Sequence, residues 1–187
     1  MKLFIFLLLA GSCRLFGAQT NTPAQKLPEQ KVEINSDTGH FDGNTRQMIY
    51  LGHVFVTDNV KSKLHCEQLT VDLPSDFGHP TNIVAETEVV LDVLIKGQTN
   101  HITADKAIYT YSVVTNVPNV IVTNEIVTFS GGKPSPKVES PQMIMWGDPL
   151  VLNVITKSFS GSNYKTIFKE TSNSGNGTNS SPFNFLK

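Results

Sequence analysis

One short pattern recurs along this chain and limits what it can fold into. Ile102-Thr-Ala-Asp-Lys-Ala-Ile-Tyr109 reads as a strand, an acidic corner at Asp105, and a second run of alternation. The same shape stands at Leu64-His-Cys-Glu-Gln-Leu-Thr-Val71, 38 residues earlier by the register Cys66 to Ala104. It stands again at Val138-Glu-Ser-Pro-Gln-Met-Ile-Met145, 36 residues later by Ala104 to Ser140. A worn copy occupies Ile34-Asn-Ser-Asp-Thr-Gly-His-Phe41. A fixed period in this range marks one supersecondary unit laid down repeatedly, and such units must stack to share a core. Two residues, rather than one, separate the apolar positions Cys66 and Leu69, and likewise Ala104 and Ala107. That count is what a bulge or strand bend produces. A bend repeated at Asp105-Lys106 and its equivalents would curl the sheet into a V-shaped or rolled trough.

Between these copies lie strands of a second kind. Met48 to Val56 places Tyr50, Gly52, Val54 and Val56 on one face. Ile83 to Leu91 matches it position by position, with Ala85 on Tyr50, Thr87 on Gly52, Val89 on Val54 and Leu91 on Val56. Val117 to Val122 reads as the next copy, with Pro118 where Gly52 stood, which argues for an edge, bulge or bend there. Phe41-Asp-Gly-Asn-Thr45, Asp58-Asn59, the loop from Pro74 to Asn82, Gly97 to Asn100, and Gly131 to Pro136 supply turns. Leu150 to Phe159 adds a closing strand. The expectation is an all-β domain over 32–169, either two facing antiparallel sheets or one sheet folded on itself, with no sustained helical period. Its inner face takes Tyr50, Val54 and Val56, then Leu64, Cys66, Leu69 and Val71, then Ala85, Val89 and Leu91. The later units add Ile102, Ala104, Ala107 and Tyr109, and finally Val138, Ser140, Met143 and Met145.

Residues 1–18 carry Lys2, an apolar run from Leu3 to Ala10, and small polar residues, the pattern of an export signal. Eight apolar residues are too few to span a bilayer, which needs about 20. Cleavage before Cys13, with lipidation of that residue in a degenerate lipobox, competes with a cut near Gly17 or Ala18. Residues 19–31 form a flexible leader, and residues 170–187 are a disordered tail rich in Ser, Asn and Gly. Loss of the signal removes Lys2 and Arg14, leaving 13 basic against 16 acidic side chains, net −3. That balance gives no general attraction to nucleic acid or to an anionic membrane. With Cys13 removed or acylated, Cys66 stands alone and the fold must hold without an internal disulfide.

The pairing of Tyr-x-Gly-x-Val-x-Val (Tyr50 to Val56) with Thr-Ala-Asp-Lys-Ala-x-Tyr (Thr103 to Tyr109) resembles the OstA-like, LptA-like family. These are periplasmic lipopolysaccharide-transport proteins of Gram-negative bacteria, also described by their organic solvent tolerance-like N-terminal domain. The resemblance covers roughly 34–159. It implies a β-jellyroll or β-taco whose apolar interior shields acyl chains. It also implies a periplasmic location, a role in outer-membrane biogenesis, and edge-to-edge joining with other transport proteins or head to tail with further copies. Ser140-Pro141 departs from the family's Ala-Asp pair.

From residue types alone the apolar face could be an ordinary sandwich core. Small residues at Cys66, Ala104 and Ser140 leave room on it, and acyl methylenes each contribute about 0.8 kcal/mol on burial. Together with the resemblance, this favours a carrier of lipopolysaccharide or a related glycolipid. The rivals are a secreted carbohydrate-binding module using Tyr109, Tyr111 and Trp146 on one outer face, and a structural β-module without a lipid ligand. Adjacent His65 and Cys66 point to opposite faces, so with Glu67 they form no chelating set, and no metal or other cofactor is expected. Asp105, Glu67, Glu86 and Glu88 sit at bends or on solvated faces. No nucleophile elbow, phosphate loop or HExxH spacing occurs, so no enzymatic activity is expected.

Overall fold

A computed structural model describes residues 32–58, 62–75, 79–116 and 120–169. The export signal with Cys13, the leader, Pro118 and the tail lie outside the described residues. Every regular element among those described is a strand. In order these are β1 (Val32–Asn35), β2 (Thr38–Asp42), β3 (Gln47–Asp58), β4 (Lys63–Asp72), β5 (Asn82–Ile95) and β6 (Gln98–Asn116). They are followed by β7 (Val120–Ser130), β8 (Lys137–Glu139), β9 (Met143–Trp146), β10 (Leu150–Asn153), β11 (Ser158–Gly161) and β12 (Lys165–Phe168). All pair antiparallel in one sheet.

The sheet is folded along a line of corners. Pairing of β3 with β4 breaks between Leu51 and Val54, and pairing of β5 with β6 breaks between Glu86 and Val89. At those breaks two consecutive residues enter the left-handed region: Gly52 (φ 76°) and His53 (φ 45°), then Thr87 (φ 66°) and Glu88 (φ 53°). Each pair opposes a single residue of the neighbouring strand, Glu67 or Asp105. The bend is therefore where the repeat places it, but the extra residue belongs to β3 and β5, not to Asp105-Lys106. The match of Thr87 to Gly52 identifies the second left-handed position, which a β-branched residue occupies only when its surroundings impose it.

These corners divide the sheet into two limbs. The long limb contains β2, residues 47–51 of β3, 68–72 of β4, 82–86 of β5 and 106–116 of β6, then β7, β10 and β11. The short limb contains β1, the other halves of β3 to β6, then β8, β9 and β12. Two expectations fail in the second half. The copy expected at Val117 to Val122 is not bent within its described part, because β7 starts at Val120 and pairs with β6 without a break to Ser130. The corner on that strand is the 131–136 loop, where Gly131 lies against Asp105 too closely for a Cβ, 2.8 Å from its carboxylate oxygen. Nor is Val138 to Met145 a bent copy: β8 and β9 pair with each other as a tight hairpin. Pro141 cannot extend a ladder, and the Ser140 hydroxyl oxygen instead accepts the Met143 N–H at 3.1 Å while the Ser140 N–H donates to the Met143 carbonyl at 2.9 Å. Leu150 to Phe159 is likewise a hairpin, β10 with β11.

Alternation sorts the two faces. On the outer face of the long limb Ile49, Thr70, Val84, Ile108, Thr128 and Val151 align across six strands, a packing of β-branched pairs favourable on a pleated surface. Beside them Asp72 accepts the Gln47 and Asn82 amides, each at 2.9 Å, and Lys106 meets Glu86 at 2.8 Å. On the short limb Glu139 joins Lys137 and Lys169, both at 2.9 Å, tying β8 to the residue after β12. Those two ammonium groups hold the Glu139 carboxyl down at about 2.

Two outcomes follow from these contacts. Gly52→Ala is expected to lower stability by more than Gly97→Ala. Both sit at positive φ, worth about 1 kcal/mol each, but a Cβ at Gly52 would lie 2.3 Å from the Asp37 carboxylate while one at Gly97 meets nothing. Thr87→Gly should be neutral or stabilising, and equal losses in urea midpoint for the two glycine variants would contradict this account of the corner. Glu139→Gln should be less stable than the native chain at pH 7. Because the folded carboxyl titrates lower than an ordinary one, that difference must shrink as pH falls through the ordinary carboxylate range and vanish near pH 2.

Candidate functional site

The inner faces of the two limbs press together, and all the sequence-predicted lining residues stand on that side. Val54, Val56, Leu64, Cys66, Leu69, Val71, Ala85, Val89, Leu91, Ile102, Ala107, Tyr109, Val138, Ser140 and Met145 are buried. Tyr50, Ala104 and Met143 are partly buried and pack against them. The bulges explain how Cys66 and Leu69, or Ala104 and Ala107, stay on one side although they stand three residues apart. Further interior residues come from strands whose register sequence reasoning misplaced: Val127 and Phe129 on β7, and Leu150, Leu152 and Val154 at β10. Phe129 is fully buried and is the largest such side chain. The alternation Val127-x-Phe129 and Leu150-x-Leu152-x-Val154 carries that signal in the sequence.

Between the limbs lies an apolar cavity of about 20 Å³, lined from the short limb by Leu64 and Leu91 and from the long limb by Ile83, Ala85, Ala107, Tyr109 and Val127. Ala85 and Ala107 are direct cross-strand partners, so two methyl side chains meet where larger neighbours on either side hold the limbs apart. The expectation that Cys66, Ala104 and Ser140 make the room is thus only partly met. Ala104 borders a second hollow of about 130 Å³ at the corner, where β7 has ended and β8 has not begun, together with Asp105, Pro134 and Ser135. A cavity of 20 Å³ is near the size that one water fills. The interior is a closed core with predominantly apolar walls, and the buried polar side chains among the described residues are Ser62, Asn100 and Ser140.

The mouth of the long limb is polar and aromatic. The His79 ring stacks on Tyr111 with centroids 4.0 Å apart and lies 3.4 Å from the Tyr109 hydroxyl. Glu125 pairs in register with Tyr111. Burial pushes its carboxyl above the usual range, opposed by the nearby His79, and burial raises the Tyr109 phenol as well. Sequence reasoning missed His79 because it stands in an aperiodic loop. Trp146 lies on the outer face of the short limb with Lys165 5.4 Å above its ring. Tyr109 is buried inside, so the three aromatics proposed for sugar stacking share no surface.

The acidic residues act at corners. Asp37 receives the His53 imidazole at 2.8 Å and donates its own N–H to the Gly52 carbonyl at 3.0 Å. Glu67 accepts the His53 N–H at 3.4 Å, and these carboxylates raise the His53 pKa, Asp37 first. His65 faces outward, opposite to buried Cys66, and among the described residues no cluster of three or more His, Cys, Asp or Glu gathers.

Compared with known proteins, the sequence matches no family model and no curated protein. Its fold does have a match. The crystal structure of LptH from Pseudomonas aeruginosa superposes with a TM-score of 0.59 over 75% of this chain and 96% of that one, at 12% identity. LptH is described as the LptA-homologous periplasmic component of the conserved lipopolysaccharide transport device. The chain has the LptA-like fold. Its open sheet, folded once and unclosed, is the β-taco architecture that the repeated corners imply.

The closed interior makes Cys66 a reporter of limb separation. Its side chain is fully buried and burial pushes the thiol up to about 12, so in a Cys13→Ser background it should react with Ellman's reagent at neutral pH far more slowly than a free cysteine. In denaturant the reaction should be complete within the mixing time. Rapid labelling of the native chain would mean that the limbs already stand apart.

Proposed function

We propose that this chain is a carrier or bridge subunit that shields the acyl chains of lipopolysaccharide, or of a related glycolipid, between its two limbs during passage across the periplasm. The observation that carries the reading is the single sheet folded so that one predominantly apolar face is turned inward while both ends remain open edges. A sandwich needs no such continuity from one limb to the other. The likeness to LptH supports it, because that protein is a periplasmic component of a lipopolysaccharide transport device. Residues 1–18 serve export, and the role involves no chemical step.

Loading requires the limbs to part, because a 20 Å³ cavity holds no acyl chain. Chains entering there replace contacts between limbs with contacts of the same kind, so the exchange costs little apolar burial. The narrow line where Ala85 meets Ala107 is the place where separation begins. The ends of the sheet suit addition of further strands: β1 and β2 at one end, β11 and β12 at the other, each four or five residues long. Their charges differ, with Glu33 on β1 and Lys165 on β12, which favours a head-to-tail contact between copies or with other transport subunits.

A photoreactive benzophenone residue in place of Tyr109, whose ring points inward, should capture lipid in cells making lipopolysaccharide. The same residue at neighbouring Thr110, exposed on the outer face, should capture little. Adducts at neither position, or equal adducts at both, would remove the carrier reading.

A further inference from the structure

β6 and β7 are paired over Lys106 to Asn116 and Val120 to Ser130, whereas their outer neighbours stop early: β5 begins opposite Thr110 and β10 ends opposite Ile126. The last backbone contacts on the two flanks are Tyr111 N–H to the Thr81 carbonyl and Val154 N–H to the Glu125 carbonyl. Past these, a two-stranded ribbon projects from the end of the long limb, and among the described residues no third strand pairs with it. Such a ribbon is marginal in water on its own. It is also without charge. From Ala107 to Asn124 no residue is ionisable as Asp, Glu, Lys or Arg, an 18-residue stretch in a chain that is 17% charged and would ordinarily place about three there. Successive residues Val113 and Val114 leave 50% and 43% of their surface exposed on opposite faces, and Ile155 on the turn beside the base of β7 leaves 42%.

We propose that this ribbon is a self-association site, in which residues 120–124 of β7 pair antiparallel with the same residues of a second copy around a two-fold axis at Val122. The proposal stands apart from what the interior carries. In a two-fold contact each residue near the axis meets its own equivalent, so any charge there would face a like charge. The ribbon meets that condition. The edges at β1, β2 and β12 do not, since they carry Glu33, Asp42 and Lys165, and β11, itself uncharged, follows directly on Lys157. A bilayer is the less fitting occupant: free N–H and C=O groups along a strand edge are costly in hydrocarbon. The ribbon also has no Lys or Arg to hold a lipid surface. A second β7 edge satisfies those groups and widens the two-stranded ribbon to four strands. Val154 at the base limits the paired span to about five residues, so the contact is small and its affinity modest.

The test uses the full chain in a Cys13→Ser background. Val122→Cys should form disulfide-linked dimers on mild oxidation, since directly opposed strand positions lie within disulfide reach, while buried Cys66 stays out of the reaction. Thr128→Cys, which lies where β10 already covers the β7 edge, should not. In sedimentation equilibrium the wild-type mass should rise with concentration, and Val122→Lys should hold it at or near the protomer value with an unchanged melting curve. End-to-end association through the outer strands is unaffected by Val122→Lys and gives no Val122 cross-link. The proposal is overturned if Val122→Cys gives no dimer, if Thr128→Cys dimerises as fast, or if Val122→Lys associates as the wild type does. It is equally overturned if the chain stays monomeric but floats with vesicles through this ribbon. Should Val122→Lys fail to fold, the comparison of the two cysteine variants decides alone.

Discussion

The structure depends on one backbone event, the paired left-handed residues that turn long strands through a corner without ending them. An antiparallel sheet of this width has one face to bury and no second sheet to bury it against. The left-handed pairs at Gly52-His53 and Thr87-Glu88 let the sheet become its own second layer. Because β3, β4, β5 and β6 each contribute to both limbs, each corner helps to set the distance between them. A strained conformation at Thr87 or Glu88 costs of order 1 kcal/mol or more, and the surroundings meet that cost through the ladders on either side and the side chains at the fold line. Asp37 at Gly52 and Asp105 at Gly131 sit so close that only glycine fits opposite them.

That arrangement explains why the acidic corners recur. They are not random surface charge, because each fills the space left by a neighbouring strand that has changed direction. At the first corner the carboxylate of Asp37 also binds His53, whose raised pKa means that the added attraction belongs to the protonated imidazole. It is present below the ordinary histidine range and fades as pH rises through the raised value. With both groups largely exposed, this adjusts the corner and does not create it.

Much of this was legible because period 2 and the corner count are local properties. The equivalence of Tyr50, Gly52, Val54 and Val56 with Ala85, Thr87, Val89 and Leu91 survives intact in three dimensions, and so does the inward set on β4 and β6. What was not legible is which strand holds the extra residue, since a bulge changes the count on both partners and only dihedral angles assign it. The second half failed for a different reason. After Tyr111 the repeat length is broken by the projecting ribbon, so extending the register placed a corner at Pro118. The corner on that side was instead built from a loop containing Gly131 and Pro134. Ser140-Pro141 looked like a degraded corner because a hairpin and a bend both interrupt alternation by two residues.

The interior packs as a core does, with one gap. A core selects against gaps, and here the walls meet almost everywhere. The exception is the Ala85 and Ala107 pair, small where Leu69 and Phe129 on the flanking strands are large. In an ordinary sandwich a gap there is a lost opportunity for packing. In a sheet whose two layers are continuous at one side and free at the other, it is the line along which the layers hold each other least. Opening along that line leaves every backbone ladder intact, because the hydrogen bonds run within the limbs and across the corners and none is needed between the facing walls. The sheet therefore separates the two requirements: ladders and corners hold the shape, and apolar contact alone holds the limbs closed.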